Sequence, residues 1–314
     1  MLLRVLERVG VLVASLVVSS VLVFAFLAAL PGDPARIALG VNATEESVAA
    51  LRADFGLDRS LPVQYLDWAG GMLTGDPGVS YVSRAEIGPQ LADRLQVTLW
   101  LVATATVIAV VFALPAGMVM AVRHRRLSGL LLAGISQIGV AVPAFLAGIL
   151  LVTVFAVQLR WLPANGWTPP IEDPVMFVKQ LALPSLSLGL VQGAVLTRYV
   201  RSAVLDVLRE DFLRTARSKG LTPYRALSRH GLRNAMVPVL TVIGLQLATL
   251  LVGAVVVERV FVIPGLGSLL LDGVANRDLL LVQAVVMVLV VAVLLVNFLV
   301  DVLYVVVDPR LRRA

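Results

Sequence analysis

Few side chains in this sequence could carry out chemistry by themselves. Its 314 residues include no cysteine, which excludes disulfides, zinc–thiolate sites and cysteine nucleophiles. The only lysines are Lys179 and Lys219, and neither lies in the GxxxxGKS/T pattern that cradles nucleotide phosphates. His124 and His230 both fall in basic turns, where we expect solvated imidazoles rather than metal ligands. The sequence therefore predicts no enzyme activity, no bound cofactor and no metal site.

The densest charge lies in residues 199–238, a segment that we call the elbow. The positive-inside rule explains this charge if the elbow is a plain cytoplasmic loop. It does not explain the length, because a plain connection needs only a few residues. The elbow therefore favours an ordered docking surface for a soluble partner. Its basic residues are Arg201, Arg209, Arg214, Arg217, Lys219, Arg225, Arg229 and Arg233, and its acidic residues are Asp206, Glu210 and Asp211.

Local signals in the elbow predict two helices with a break between them. The first is expected over 202–218 and is ended by Gly220, since glycine readily adopts the left-handed conformation that follows a helix. Thr222 then serves as an N-cap, and Pro223 is the first residue of a second, short helix. The pattern predicts a basic helix–turn–helix that joins two membrane spans.

The composition requires a lipid environment around these elements. The chain is 59% hydrophobic and 15% charged, and a soluble domain of this size cannot hide so much apolar surface. Its net charge is +6, and its basic residues lie at the ends of apolar runs. This placement favours a role in membrane topology over nucleic-acid binding. We predict an all-α polytopic membrane protein with six transmembrane helices, at about 9–30, 97–122, 130–159, 181–197, 239–257 and 279–305. The first apolar run is too long for a cleaved signal peptide.

Three connections are expected on the far side of the membrane from the elbow, and two of them, 31–96 and 258–278, carry clear local signals. Residues 31–96 hold nine of the 20 acidic side chains and predict a small ordered cap. One helix starts at the N-cap Thr44 and is ended by Gly56, and a second covers 62–73. The other connection, 258–278, contains a turn cluster at Pro264, Gly265 and Gly267.

Small residues predict close helix packing in two spans. Gly244 and Ala248 lie four residues apart in the fifth span, and Pro143 interrupts the third. Small residues at this spacing allow a neighbouring helix to approach closely. The second span carries the longer stripe, formed by Ala105, Ala109, Ala113 and Gly117.

The distribution of charge predicts that both termini are cytoplasmic. In that orientation the inside segments hold 17 of the 26 basic residues, nine of them between Arg198 and Arg233. The reversed orientation would place this dense cluster outside, against the positive-inside rule.

Ionisable groups inside the spans would be needed for ion-coupled transport. Asp301 is the only carboxylate within a predicted span, and it lies near the cytoplasmic end. It can be read as a proton relay or as an anchor for a neighbouring helix end or basic residue. A self-sufficient secondary transporter or facilitator is thus the alternative to a pathway that is driven by a partner.

Several motifs, in order along nearly the whole chain, point to one family. The sequence resembles the permease subunits of binding-protein-dependent ABC importers in the dipeptide/oligopeptide/nickel branch, and most closely the first of the two paired permeases. The motifs are Leu30-Pro-Gly-Asp-Pro34, Leu61-Pro-Val-Gln-Tyr65, Arg214-Thr-Ala-Arg-Ser-Lys-Gly-Leu221, Arg229-His-Gly-Leu-Arg-Asn234, Glu258, Pro264-Gly-Leu-Gly267 and Asp308-Pro-Arg310.

The elbow occupies the position of the EAA loop in that family. Arg214, Thr215 and Ala216 occupy the Glu-Ala-Ala positions, and Gly220 occupies the glycine. The acidic residue is therefore absent from its general place, and Asp211 stands one turn earlier. By resemblance, the contact with the ATPase is assigned to Asp211, Arg214, Thr215, Ala216, Lys219 and Gly220.

The resemblance implies a type I importer permease in the plasma membrane of a prokaryote. Its expected partners are a second homologous permease, two ATP-binding subunits that use the ATP, and an external substrate-binding protein docked on 31–96 and 258–278. It also implies a gate or outer loop at Glu258, Pro264, Gly265 and Gly267. The expected divisions are 1–93, 94–306 for the family core, and the tail 307–314. Dipeptides, oligopeptides, nickel chelates and glutathione remain alternatives as cargo.

Overall fold

The chain is helical throughout its regular structure. The computed structural model describes residues 2–40 and 43–307, and in this part the only β-type pairing is an isolated bridge between Val79 and Glu86. The predicted all-α class is confirmed. The helices are α1 Leu2–Ala28, α2 Pro34–Leu39, α3 Glu45–Asp54, α4 Leu61–Thr74, α5 Ile87–Val122, α6 Leu127–Ala141, α7 Ala144–Leu151, α8 Pro174–Leu208, α9 Asp211–Ser218, α10 Pro223–Ala226, α11 Leu232–Val260, α12 Leu266–Ala275 and α13 Leu279–Val307, with π-helical stretches at Val152–Gln158 and Leu227–Gly231.

The longest of these helices are the candidate membrane spans. Among the described residues, five stretches are long and apolar enough to cross a bilayer, namely Leu6–Ala28, Ile87–Val122, Pro174–Leu208, Pro238–Val260 and Leu279–Val302. The predicted third span is instead a helix pair, Leu127–Ala141 and Ala144–Gln158, bent by 102°. Counted as one span, this pair completes the six that the sequence predicts.

Pro143 causes the bend in this pair. The residue before a proline is driven out of the helical region, and Val142 is accordingly extended, with φ −86° and ψ 122°. Pro143 has no N–H with which to continue the first helix; it is extended as well and is the N-cap of α7, which starts at Ala144. The sequence predicted an interruption here, but not one large enough to separate two helices.

The described residues form two compact units. The N-terminal unit comprises Leu2–Thr98 and Pro264–Leu295, and the elbow unit comprises 99–263 and 296–307. The predicted division into 1–93 and 94–306 follows the family rather than these contacts, and it stays a prediction. The tail motif Asp308-Pro-Arg310 lies outside the described residues.

In the N-terminal unit, aromatic side chains fix α4 against α1. The Tyr65 ring meets Phe24 edge to face with centroids 5.5 Å apart, and its hydroxyl lies 2.9 Å from Ser20 Oγ. Trp68 is buried beside them. Leu66 of the same helix is 67% exposed. The predicted cap therefore has an ordered apolar attachment to the first span.

The predicted capping signals of α3 are confirmed. Thr44 Oγ1 accepts a hydrogen bond from the Ser47 N–H at 3.2 Å, and Ser47 Oγ accepts from the Thr44 N–H at 3.0 Å. Gly56 follows the helix with φ +66°. α3 thus begins after Thr44 and is ended by Gly56, as the sequence indicated.

A second core in the N-terminal unit contains a helix that the sequence did not reveal. α12 lies within 258–278, where we predicted only a connection with a turn. Its residues Leu266 and Leu269 are buried with Ile87 at the start of α5 and Val285 of α13. The Leu266 N–H donates to Thr98 Oγ1 at 2.9 Å. This burial stabilises a helix of ten residues that is too short to be stable alone.

A polar contact closes the loop between α4 and α5. Ser80 Oγ donates to the buried Asp278 carboxylate, and the Asp278 side chain also accepts from the Leu281 N–H at the start of α13. Burial, followed by the charge of Asp278, raises the pKa of the neighbouring Tyr81. Tyr81 therefore stays neutral at physiological pH.

In the elbow unit, α8 packs on α5, α6, α7 and α11. The predicted small-residue stripe of α5 faces it, with Ala105 and Ala109 buried against Gly189 and Gly193 of α8. A Cβ on Gly189 would lie 2.8 Å from the Ala105 carbonyl oxygen. The stripe therefore brings two helix backbones into close contact, as the sequence predicted.

Candidate functional site

The elbow begins with a break that the sequence did not show. We predicted one helix over 202–218, but α8 ends at Leu208 and α9 starts at Asp211. Between them, Glu210 is extended, with φ −68° and ψ 142°. No glycine or proline marks this break, so the segment reads as continuous helix. The break gives α9 its own N-terminus, where Asp211 interacts favourably with the helix dipole.

Burial of one leucine explains why the break occurs. Leu213 of α9 is completely buried, and Ala216 and Leu221 pack partly against the same cluster. A straight continuation of α8 would carry α9 away from this cluster, whereas the turn at Arg209 and Glu210 brings it back. The cluster joins α5, α8, α9, α10 and α11 through Ala113, Ala121, Leu196, Val200, Val204, Leu213, Ala226, Leu227, Ala235 and Val239.

Gly231 allows this packing by its lack of a side chain. A Cβ at this position would lie 2.9 Å from Val207 Cγ1 and 3.1 Å from Leu213 Cδ1. The π-helical stretch that ends at Gly231 can therefore approach both α8 and α9. Gly231 lies within the motif Arg229-His-Gly-Leu-Arg-Asn234, but close approach of helices leaves no local signal in a single sequence.

The predicted turn of the elbow, at Gly220, is confirmed. Gly220 has φ +92°, and its N–H donates to the Arg217 carbonyl at 3.0 Å. Thr222 Oγ1 accepts from the Arg225 N–H at 3.3 Å, and Pro223 is the first residue of α10. α10 continues through the π-helical stretch directly into α11, so the elbow is ordered along its whole length.

The predicted coupling residues share the exposed side of α9 and its C-terminal turn. Asp211, Arg214, Thr215, Lys219 and Gly220 are exposed, whereas Ala216 is partly buried. Thr215 Oγ1 donates to the Asp211 carbonyl at 3.0 Å, so this hydroxyl is bound within its own helix. The charged groups of α9 are left to face solvent.

A basic groove lies beside this surface. Its volume is about 580 Å³, and three of its lining residues are Arg209, Arg214 and Arg217. None of the eight basic side chains of the elbow forms an ion pair with another residue that the structure describes. Phe212 and Tyr224 add exposed aromatic area, at 39% and 50%. This combination can bind the carboxylates of an acidic protein surface.

The predicted gate residues fall in both units. Glu258 lies at the end of α11 in the elbow unit; it is fully buried, and its carbonyl accepts from the Ile263 N–H at 2.8 Å. Pro264, Gly265 and Gly267 belong to the N-terminal unit, where Gly265 is the N-cap of α12 and Gly267 is buried in its first turn. Their role as a gate stays a prediction.

Known proteins that match the chain cover both units. Residues 113–313 match the family described as binding-protein-dependent transport system inner membrane component, and residues 1–102 match the N-terminal membrane component of the same systems. The glutathione transport system permease protein GsiC of Escherichia coli K12 is 42% identical over 99% of both chains. The protein of the same name from Salmonella typhimurium LT2 is also 42% identical over 99% of both chains.

Solved structures agree at the level of the fold. A chain of the MetNI methionine ABC transporter, in an inward facing conformation, superposes with a TM-score of 0.57 at 19% identity, covering 69% of this chain and 96% of that one. A chain of an amino acid ABC transporter gives 0.52 at 16% identity, covering 69% and 93%. The chain therefore belongs to the inner membrane components of binding-protein-dependent transport systems, and it is a multi-pass permease subunit of an ABC importer of the dipeptide/oligopeptide branch.

Proposed function

We propose that this permease imports short peptides or a similar small solute and forms one half of a pathway with a second, homologous permease. Two partner ATPase subunits supply the energy, and an external binding protein delivers the solute. The relatives that are 42% identical over nearly the full length are named for glutathione, a small peptide-like solute. Their similarity over the whole chain supports a cargo of this chemical class.

The two-sidedness of α9 is the observation that carries the coupling part of the proposal. One side is fixed by Leu213, which is completely buried among residues of α8 and α11. The other presents Asp211, Arg214 and Lys219 to solvent. A partner that binds the exposed side can therefore move a helix that lies between two membrane spans. We assign Asp211, Arg214, Thr215, Ala216, Lys219 and Gly220 to this contact.

Close packing would transmit that motion into the membrane. The buried cluster beneath α9 is continuous with the contact between α8 and α11. Because close-packed interiors deform little, a displacement of α9 is expected to move these helices together rather than to be absorbed locally. Such rigid-body tilting is a recognised way to switch a pathway between two states.

The proposal places the elbow and both termini in the cytoplasm. The excess of basic residues in the elbow supports this orientation through the positive-inside rule. Residues 31–96 and 258–278 then face the outside, where they offer ordered surfaces to the binding protein. In this arrangement α3 and α4 form part of the docking surface, and Glu258, Pro264, Gly265 and Gly267 form the outer gate.

Reconstitution tests the proposal directly. Proteoliposomes that contain both permeases, the ATPase subunits and the binding protein are expected to accumulate a labelled dipeptide or glutathione only when ATP is present on the ATPase side. Omission of any one component should abolish accumulation. Accumulation by this chain alone, driven by a proton or sodium gradient, would show instead a self-sufficient secondary transporter.

A further inference from the structure

One face of α8 is accessible and largely polar from the middle of the helix to its elbow end. We call this face the α8 stripe, and it consists of Gln192, Val195, Tyr199 and Ser202. Residues spaced by three or four share one face of a helix. Tyr199 and Ser202 are exposed, and Gln192 and Val195 are partly exposed. The α8 stripe is therefore open to contact with another molecule.

The amide of Gln192 has an oxygen without a partner. Its Nε2 donates to the Gln246 carbonyl at 3.1 Å and to Thr249 Oγ1 at 2.9 Å, which fixes the side chain on α11. Its Oε1 is accessible and accepts no hydrogen bond from any residue that the structure describes.

This unpaired oxygen lies deep in the apolar part of the chain. Gln192 is near the middle of α8, Pro174–Leu208, and the exposed Thr249 is near the middle of the span Pro238–Val260. A carbonyl oxygen that faces hydrocarbon without a donor is unfavourable. Gln192 therefore faces water or a polar solute rather than lipid.

Toward the elbow, the α8 stripe borders a cavity of about 480 Å³ whose lining suits an anion. Arg198 and Arg201 line it, and neither forms an ion pair with another residue that the structure describes. Tyr199, Ser202 and Gln137 of α6 add accessible polar groups, and none of the described lining residues is acidic. Two free guanidinium groups one turn apart can bind a carboxylate through charge-assisted hydrogen bonds.

We propose that the α8 stripe lines the solute path from the middle of the membrane to the elbow, and that Arg198 and Arg201 bind the carboxylate of the solute. Gln192 and Arg198 are six residues apart, which is about 9 Å along a helix. An extended dipeptide covers about 7 Å, so with the reach of the arginine side chain it can contact both at once. Gln192 Oε1 then accepts from an N–H of the solute. The identity of the solute rests on the proposed function.

The absence of cysteine from the chain allows a direct test of water access. Gln192→Cys and Thr249→Cys are assembled separately with the partner permease and ATPase subunits in lipid nanodiscs, without ATP. Each is treated with a charged maleimide, and the label is read on the band of this chain. A thiol reacts as its thiolate, which forms in water and not in hydrocarbon. Both positions are expected to react quickly. Thr249→Cys keeps the size of the side chain and gives the answer if Gln192→Cys does not assemble.

Val111→Cys is the control at the same depth. Val111 of α5 is 61% exposed. It lies two residues from Ala109, whose Cα would be 3.3 Å from a Cβ on Gly193, the neighbour of Gln192. Its thiol should face lipid and react at least about tenfold more slowly. Equal labelling of the stripe positions and of Val111→Cys would overturn the path.

Protection of Val195→Cys from the reagent tests the carboxylate contact. Val195 lies between Gln192 and Arg198, so a bound solute should cover it. Alanyl-phenylalanine at millimolar concentration is expected to slow its labelling severalfold, whereas alanyl-phenylalaninamide, which has no carboxylate, should not. Arg198→Gln combined with Arg201→Gln should remove the protection. Equal protection by the peptide and its amide, or protection by neither, would overturn the assignment of the two arginines.

Uptake in the reconstituted system separates this proposal from the proposed function. If the stripe positions label no faster than Val111→Cys while ATP-driven uptake by the wild type is intact, the function stands and the path lies elsewhere. If the wild type shows no ATP-driven uptake, the function is wrong whatever the labelling gives.

Discussion

The N-terminal unit and the elbow use their arginines in opposite ways. In the N-terminal unit four arginines face carboxylates of the same unit, in the pairs Arg36–Glu45, Arg52–Asp33, Arg59–Asp67 and Arg84–Asp54. In the elbow, eight basic side chains have no ion-pair partner among the residues that the structure describes. The first set balances charge within a small cap. The second set keeps its charge available for another molecule.

The two regions also differ in how their short helices are attached. α4 is fixed to α1 by several aromatic contacts, including those of Phe24 with Tyr65 and Trp68. α9 has one fully buried side chain, Leu213. The attachment of α9 therefore depends on far fewer residues, and substitutions there should have the larger functional effects. The predictions below test this contrast, from the largest expected effect to the smallest.

Loss of the Leu213 side chain should have the largest effect. Leu213→Ala removes the fully buried contact of α9 and is expected to destabilise the elbow by about 2–5 kcal/mol. ATP-driven uptake should fall at least tenfold, because α9 no longer moves with α8 and α11. Hydrogen exchange of the amides in 209–221 measures the loosening directly.

Phe212→Ala is the control for that variant. Phe212 is the neighbouring residue on α9, but it is 39% exposed, so its truncation should change exchange far less. If exchange in 209–221 is the same in Leu213→Ala as in the wild type, the buried leucine does not hold the elbow in place.

Reversal of the exposed charges should weaken the partner contact without unfolding the elbow. The triple variant Asp211→Arg, Arg214→Glu, Lys219→Glu is expected to reduce recovery of the ATPase subunits on affinity-tagged permease about tenfold. Like charges that face each other across an interface oppose association. Binding of the wild type should weaken with added salt.

A charge swap in the N-terminal unit provides the comparison for this variant. Exchange of Arg36 and Glu45 keeps both charges in a pair that lies outside the elbow. It should leave ATPase recovery at the wild-type level. Full recovery of the ATPase subunits on the triple variant would place their contact elsewhere.

Gly220→Val should have an intermediate effect through the backbone alone. Gly220 has φ +92°, and no atom lies within 4 Å of the position that a Cβ would take. The cost is therefore conformational strain of about 1–2 kcal/mol, without a steric clash. Uptake should fall severalfold while membrane insertion is unchanged. Gly220→Asn should retain more uptake, since asparagine tolerates left-handed conformations better than valine; equal uptake in both variants would argue against strain.

Features with a local cause could be predicted from the sequence. Thr44, Gly220 and Thr222 end or start helices through their own conformations and hydrogen bonds, and these positions were identified correctly. The exposed residues of α9 were also identified, because charge at the surface follows from charge in the sequence. The six apolar stretches were recognised because their length and composition are properties of the sequence itself.

Features that depend on contacts with residues far away in the sequence could not be predicted. The break at Glu210 serves the burial of Leu213 against residues of other helices, and α12 exists because Leu266 and Leu269 are buried with α5 and α13. No turn residue marks the break at Glu210, and the turn at Pro264 and Gly265 marks the start of α12 without revealing that a helix follows. The sequence therefore predicted the exposed half of the elbow better than its buried half.

The smallest effect is expected at an exposed ion pair of the N-terminal unit. Arg36 Nη2 lies 2.5 Å from Glu45 Oε1, but the side chains are 57% and 87% exposed. Water and salt screen such a pair, and its formation also restricts two flexible side chains. A double-mutant cycle with Arg36→Gln and Glu45→Gln should therefore give a coupling below about 0.5 kcal/mol in thermal unfolding of the detergent-solubilised chain. A coupling of several times that size would mean that surface charge holds the cap together. The contrast between internal pairing in the N-terminal unit and available charge in the elbow would then be a difference in stability as well as in function.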